Sequence, residues 1–546
     1  MDDIFTDSRL GRPCAPRRAR WLLIAILLLA AVVRLAVWSR PLEALDGRTL
    51  PDDAYLALEI AKNLGQGDGP RYGDAATNGF QPLYVLLAAP QFRGATAGDL
   101  RDPAYLDAAV KRSLAITVVA DLLCILVLAA ILARRLGWSA AVLSGAALWA
   151  TQPVFVRTCL NGLETSLAML ALLVAWWWLE TRCRVGAAAR RRLVLGVLLG
   201  LGMLARLDLA LFAVWAAGIP AWRAWRTEGR PAAAIAWLVP VAAGVVLAYG
   251  PWLLYSWQQT GALLPVSGKA VRFMSLANAD HQPDLGWYLE SLRMALVAVW
   301  RNTAVPWIVV AAIVVFCVLT RGAVRRPVLR DWWEDRRWLA PVLLFGASLL
   351  AAYAFFLPAY WFFDRYLFPL SLVAVLLATT GLHRLLAAQG RAGRLAVAIA
   401  GVAVAAAAGL ADPGLGSLLG ARYDPDLGYR QIGLWAARTF PEGTTIGSSQ
   451  TGALAYYAPD LDVVNLDGVV NAAAYRSLVA RRHVAYLEER GVEYVLGWDV
   501  NMRFVWDHSA PGAQQRLAFR GKVGDEAGRA LRSWWNEWLV YQVVGR

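Results

Sequence analysis

The acidic pair Asp52-Asp53 opens the run Ala54-Tyr-Leu-Ala-Leu-Glu-Ile-Ala-Lys-Asn-Leu64. A carboxylate fixed at a membrane surface is what a general base needs when one substrate is a lipid. The plainer reading is a helix start, where Asp is a favoured cap and carboxylates meet the positive end of the helix dipole. Glu164, in Leu160-Asn-Gly-Leu-Glu-Thr165, falls where two apolar runs meet. A carboxylate at that depth is costly unless solvated or paired, which makes it a functional candidate; a water-exposed place beside a helix cap is its bland alternative. Lys269 and Arg272 follow Gly261-Ala-Leu-Leu-Pro-Val-Ser-Gly, and Arg365 with Tyr366 opens an apolar run that continues through Pro369. These cations lie between apolar runs whose other ends carry the basic loops, so each needs a reason. Contact with a lipid phosphate is one, and interfacial snorkelling is the other.

Arg206-Leu-Asp208 interrupts a further apolar run and reads first as an intramembrane salt bridge, while Arg34 and Asp121 are expected to pair with groups nearby. Thr77-Asn78-Gly79-Phe80-Gln81-Pro82-Leu83 has the form of a turn leading into a helix with Pro in its first turn. Behind the acidic pair, Leu56, Ile60 and Leu64 share a face with Ala57 and Ala61, and Glu59 and Lys62 lie opposite. This predicts an amphipathic helix along the outer membrane surface, stopped by Gly65 and Gly67.

The chain around these residues is 546 long, 58% hydrophobic and 17% charged, with mean hydropathy +0.45. Soluble domains carry about 25% charged residues, so a cytosolic enzyme, a disordered chain and a disulfide scaffold are excluded. A nucleic-acid partner is excluded too: the net charge of +14 comes from short basic loops between apolar runs and signals topology. The five cysteines and four histidines show no metal-ligand spacing, so any metal would be a hard divalent cation (Mg, Mn or Ca) held by Asp52, Asp53 and Glu164.

The expected fold class is an α-helical polytopic membrane protein with a small C-terminal α/β domain. Residues 1–20 form a basic cytoplasmic tail, 21–412 the membrane module with an outer loop at 39–112, and 413–546 a soluble extracytoplasmic domain. Nine crossings are expected, at 21–38, 113–134, 139–157, 164–181, 232–257, 300–320, 339–358, 366–386 and 394–411. Residues 82–92 make a juxtamembrane helix. The run 193–221 has basic loops at both ends, so it is either a broken hairpin turning near Arg206-Leu-Asp208, which the charge parity favours, or a single span. In the C-terminal region 444–449, 462–466, 492–498 and 538–544 read as strands, with helices at 427–439 and 472–490.

The ordered set of these segments resembles the GT-C-fold glycosyltransferases, a group that includes aminoarabinose, O-mannosyl and mycobacterial arabinofuranosyl transferases. The resemblance rests on Asp52-Asp53-Ala-Tyr, Asn78–Leu83, Asn161–Thr165, Leu204–Asp208, Leu264–Lys269 and Arg365–Pro369, with Gly452-Ala-Leu and Val464-Asn-Leu-Asp-Gly-Val-Val-Asn471. It implies an inverting transfer of sugar from a polyprenyl-phosphate donor to a glycan, lipid or protein acceptor of the cell envelope. The reaction would take place at the outer face of a bacterial plasma membrane. It further implies that Asp52 or Asp53 is the base, Asp52 by its place in the pair. Glu164 would stand near the acceptor, and Arg365 and Lys269 at the donor phosphate. Arg272, Tyr366, Asn78, Gln81, Arg206 and Asp208 are the remaining substrate-contact candidates. A lipid-linked polysaccharide polymerase or ligase is the nearest rival, and a lipid or sugar transporter a more distant one.

Overall fold

The computed structural model describes residues 17–183, 186–277, 279–319, 336–387, 413–420, 424–525, 528, 530–533 and 536–544. The expected crossing at 394–411 and the basic run after residue 319 lie outside these. The chain enters through α1 (Arg17–Trp38), which leaves Trp21, Leu28 and Val32 exposed as a lipid-facing side and buries Ala30, Val33 and Val37. After α2 (Asp52–Gln66) and α3 (Pro82–Ala88) comes α4 (Pro103–Leu136). The buried ion pair expected for α1 forms with α4: Arg34 meets Asp121 at 2.6 Å, and Asp121 also accepts from the Trp149 indole at 2.9 Å.

The bundle continues through α5 (Ala140–Thr151), α6 (Pro153–Cys159), α7 (Thr165–Arg182), α8 (Ala189–Ala205), α9 (Leu209–Glu228), α10 (Pro231–Thr260) and α11 (Val266–Ala277). It ends with α12 (Leu285–Leu319), α13 (Arg336–Ala351), α14 (Phe363–Tyr366) and α15 (Pro369–Ala387). Among the described residues, four helical stretches are long and apolar enough to cross a bilayer: Arg17–Trp38, Pro103–Leu136, Pro231–Thr260 and Trp338–Phe356. Tyr360–Tyr366 and Pro369–Arg384, bent by 48°, make a fifth path. The run expected to cross at 139–157 is instead two helices, because Pro153 cannot continue α5 and starts α6.

The run 193–221 is a hairpin. Gly196 lies against Val241 and Gly244, and Gly200 against Val245 and Ala248, so α8 and α10 advance in the same direction. Helix α9 lies between them in sequence and meets α10 through the tight turn at Gly229-Arg230, so it runs the other way. Its limbs of 17 and 20 residues reach about 25 and 30 Å at 1.5 Å per residue, closer to full than to half depth. Arg206-Leu-Asp208 forms the tip. The basic residues Arg191, Arg192, Arg226 and Arg230 gather at the opposite end, and Arg135, paired with Glu180, ends α4 beside the start of this hairpin.

The amphipathic pattern of α2 is as expected, but its polar face does not meet solvent. The polar face is also covered: Glu59 and Lys62 are buried and paired at 2.6 Å, with Lys62 5.6 Å from the centre of the Tyr456 ring. What covers it is a C-terminal domain built on β1 (Thr445–Ser448), β2 (Asp462–Asn465), β3 (Tyr494–Gly497), β4 (Leu517–Lys522) and β5 (Leu539–Val543). The sheet order is β2-β1-β3-β5-β4; the first three strands are parallel, and β5 runs antiparallel to both neighbours. Tyr429–Thr439 is helical as expected, whereas 472–490 breaks at Arg481, a non-glycine residue with φ 53°. Strand β4 and the helices Gly452–Tyr457 and Asp499–Asp507 complete the domain beyond the elements expected from sequence.

The contact between α8 and α10 sets a test. A side chain on Gly244 would overlap the Leu193 carbonyl oxygen and lie 2.7 Å from the Val197 amide nitrogen. Gly244→Val is therefore expected to destabilise the bundle by about 1–3 kcal/mol, the usual range for overpacking, read as a lowered unfolding midpoint in detergent. An unchanged midpoint would contradict this packing.

Candidate active site

Where α14 bends into α15, Arg365 meets Asp53 from the first turn of α2, with Nη1 to Oδ2 2.8 Å. Asn302 of α12 donates to the Asp364 carbonyl at 2.8 Å, which fixes the backbone ahead of Arg365. The guanidinium lies over two rings, 4.7 Å from the centre of Phe362 and 5.2 Å from that of Tyr366. Tyr366 stacks on Tyr353 at 4.7 Å, and the Tyr353 hydroxyl donates to Asp208 at 2.8 Å. Asp208 closes the set by accepting from Arg206 at 2.5 Å, and Arg206 also reaches the Arg365 carbonyl at 3.4 Å. The hairpin tip is thus both a salt bridge, as its sequence suggests, and part of the site.

Glu164 lies buried where α7 begins, within electrostatic reach of Arg206 and Arg365. The turn before it packs on α2: Asn161 Oδ1 accepts from Leu163 N at 2.9 Å, and Gly162 sits against Leu50 and Ala54, next to Asp53. Asp53, Glu164, Arg206, Asp208, Arg365 and Tyr366 therefore come together from four separate segments. Two cations face three carboxylates there, in a setting where aromatic rings limit water and strengthen each charge interaction.

Asp52 points elsewhere. Its oxygens accept from the amides of Gly452 and Ala453 at 2.8 and 2.9 Å, so it caps the helix Gly452–Tyr457 of the C-terminal domain. Its residue is 4% exposed, against 37% for the Asp53 side chain. A side chain at Gly452 would overlap the Asp52 carbonyl, so the backbones meet directly. Asp52, which the resemblance favours as the base, is thus engaged as a helix cap, and Asp53 is the carboxylate of the pair that faces Arg365. Burial pushes the Asp52 carboxyl up to about 7, against the downward pull of the two amides.

Other candidates fall outside the cluster. Asn78 is buried: Nδ2 donates to Ser256 Oγ at 2.6 Å and Leu264 O at 3.2 Å, and Oδ1 accepts from Val266 N at 3.0 Å. It ties the end of α10 to α11 with its amide group engaged on both sides. Gln81 is a half-buried residue ahead of α3. Lys269 is exposed on α11, and Arg272 donates to the Phe356 carbonyl with its guanidinium 4.6 Å from that ring centre. Two members of the neighbourhood carry little signal in the sequence. Tyr353 is hidden in an apolar run, its hydroxyl the only clue, and Asp467 lies within Val464–Asn471, whose residues do not single it out. Among the described residues no three His, Cys, Asp or Glu side chains converge to hold a metal ion, so the carboxylates proposed as cation ligands do not form such a set.

The chain has the GT-C fold. ArnT from Cupriavidus metallidurans, in the apo state, superposes with a TM-score of 0.52 over 95% of this chain and 98% of its own, at 13% identity. The same protein bound to undecaprenyl phosphate gives 0.52 at 12% identity, with the same coverage. The archaeal oligosaccharyltransferase AglB from Archaeoglobus fulgidus, in complex with an inhibitory peptide and a dolichol-phosphate, gives 0.51 at 12% identity over 95% of this chain and 75% of its own. Residues 420–539 match a family described as a domain of unknown function, DUF8728. Sequence comparison with curated proteins gives no match.

The Asp52 latch has two measurable consequences. Asp52→Ala leaves two buried amides without an acceptor, at about 1–3 kcal/mol each, and is expected to speed proteolysis and hydrogen exchange around 445–457. The folded-state pKa lies above the ordinary 3.8, so the folded protein holds a proton that the unfolded chain releases between about pH 4 and 7. The contribution of this group to stability therefore falls as pH rises through that window. Relative to the native chain, Asp52→Asn should gain stability between pH 5 and pH 8; a pH-independent difference would contradict the assignment.

Proposed function

We propose that the protein is an inverting glycosyltransferase that moves a sugar from a polyprenyl-phosphate donor to a hydroxyl acceptor of the cell envelope, with Asp53 as general base. The observation that carries this reading is the Asp53–Arg365 pair, a carboxylate and a guanidinium 2.8 Å apart at the junction of bundle and domain. An acceptor hydroxyl is a weak nucleophile. Asp53 takes its proton as the oxygen forms a bond to the anomeric carbon, while the bond from that carbon to the phosphate oxygen breaks and the electron pair leaves with the phosphate. A phosphate leaving group needs no general acid, only cations that stabilise the charge it gains. Arg365 and Arg206 supply them, with Arg206 held in place by Asp208 and Tyr353. When a donor phosphate engages Arg365, the ion pair opens and frees the Asp53 carboxylate for proton transfer.

The sidedness follows from charge. The ends of the helices opposite the hairpin tip carry Arg191, Arg192, Arg226 and Arg230, which by the positive-inside bias belong in the cytoplasm. The site and the C-terminal domain then lie on the extracytoplasmic face. A cysteine introduced at the exposed Val500 should accordingly react with a membrane-impermeant maleimide in intact cells. Labelling only after lysis would reverse the orientation.

The catalytic test uses full-length protein in detergent with polyprenyl-phosphate sugars. Asp53→Asn is expected to lower turnover by on the order of 10²–10⁴-fold, the usual worth of base catalysis, with the unfolding midpoint and undecaprenyl phosphate binding retained. Asp52→Asn should keep most of the turnover. The opposite ranking would return the base to Asp52, and full turnover in Asp53→Asn would end this assignment.

A further inference from the structure

The C-terminal domain brings a third carboxylate to this junction. Asp467 lies two residues past the end of β2, on the carboxyl side of the parallel strands, the side on which open α/β sheets bind ligands. Its turn is fixed from within: Oδ1 accepts from Val469 N at 2.9 Å, and Asn465 Oδ1 accepts from Gly468 N at 3.1 Å. It is also fixed from the membrane module. Gly79 presses on the next two residues so closely that a side chain there would overlap the Val469 carbonyl and lie 3.1 Å from Val470 Cα. With the Asp52 latch on Gly452 and Ala453, the domain is held at two points, and Asp467 stands within electrostatic reach of both Asp52 and Asp53.

Asp467 is 9% exposed and has no ion-pair partner among the described residues, although the chain carries 54 Lys and Arg. Burial and, less, the neighbouring carboxylates push its carboxyl up to about 7, with the Val469 amide and the Asn465 side chain pulling the other way. A buried carboxyl within electrostatic reach of other carboxylates is unfavourable by itself, and the two arginines of the site are taken, Arg365 by Asp53 and Arg206 by Asp208. Such a group favours a ligand that brings hydrogen-bond donors and no negative charge. The site is therefore divided by charge: the Arg365 and Arg206 side suits a phosphate, and the Asp53 and Asp467 side suits the hydroxyls of a neutral sugar.

We infer that Asp467 is an acceptor-binding residue supplied by the C-terminal domain, accepting a hydrogen bond from a sugar hydroxyl next to the one that Asp53 deprotonates. This rests on the transferase reading given above. Asp467→Asn preserves the side-chain shape and the acceptor for Val469 N but weakens the hold on a hydroxyl. The test compares the full-length native chain and this variant, with undecaprenyl-phosphate-linked arabinose, mannose and glucose as donors and octyl glycosides of the same sugars as acceptors. The apparent KM for the octyl glycoside should rise about tenfold or more, while the KM for the donor and the slow transfer to water stay within about twofold. Glycoside transfer should also lose its dependence on a group titrating near neutral pH.

Equal losses in glycoside transfer and in hydrolysis, or an unchanged acceptor KM, would overturn the assignment to Asp467 and leave the transferase reading intact. A native chain that cleaves none of the donors counts against the transferase reading. Asp467 is then decided by thermal protection. Octyl glycosides should raise the unfolding midpoint of the native chain and not of Asp467→Asn, while undecaprenyl phosphate raises both. Equal glycoside protection of the two proteins, or none of either, overturns the inference.

Discussion

Successive residues on an α-helix point about 100° apart, so two adjacent carboxylates readily face different partners. At the start of α2 this separation is what joins the protein's two parts. Asp52 turns into the C-terminal domain and receives two amides, while Asp53 turns into the bundle and meets Arg365. One turn of helix therefore carries both the domain latch and the proposed base. Movement of the domain against α2 would be felt at Asp53 through a single peptide unit. Burial of Ala54 to Lys62, including the Glu59–Lys62 pair, gives that turn a rigid seat.

The segments that build the site differ in what they contribute. Gly79 and Gly452 place backbone against backbone, Gly162 lets its turn close on Leu50 and Ala54, and Asn78 ties two segments through its amide. Arg206, Asp208, Tyr353 and Tyr366 form a chain of hydrogen bonds and stacked rings that leaves Arg206 little rotational freedom. A guanidinium held this way is oriented before a phosphate arrives, which is the condition for electrostatic stabilisation without reorganisation.

Sequence carried the architecture well where one physical rule dominates. Apolar length gave the bundle, charge parity gave the α8–α9 hairpin, and period-two runs gave four of the five strands of the C-terminal sheet. It carried less where tertiary context decides. The amphipathic face of α2 is visible in the residues, but the domain that covers its polar side is some 400 residues away in the chain. The choice between Asp52 and Asp53 turns on those same distant amides. Asn78 has the residue type of a substrate contact, yet its partners are at Ser256, Leu264 and Val266, nearly 200 residues away in the chain. Tyr353 and Asp467 have nothing local to mark them, since their significance lies in what faces them.

The Asp53–Arg365 pair also bears on how such a site avoids idle chemistry. A free carboxylate beside an empty acceptor position would admit water, whose hydroxyl is as available as that of any sugar. Paired to a guanidinium at 2.8 Å, the carboxylate has one oxygen engaged. In the proposed reaction the donor phosphate competes for that guanidinium, so the carboxylate is released only when there is a sugar to transfer. The rings of Phe362 and Tyr366 around Arg365 favour this exchange, because they keep the guanidinium positioned while its anionic partner changes.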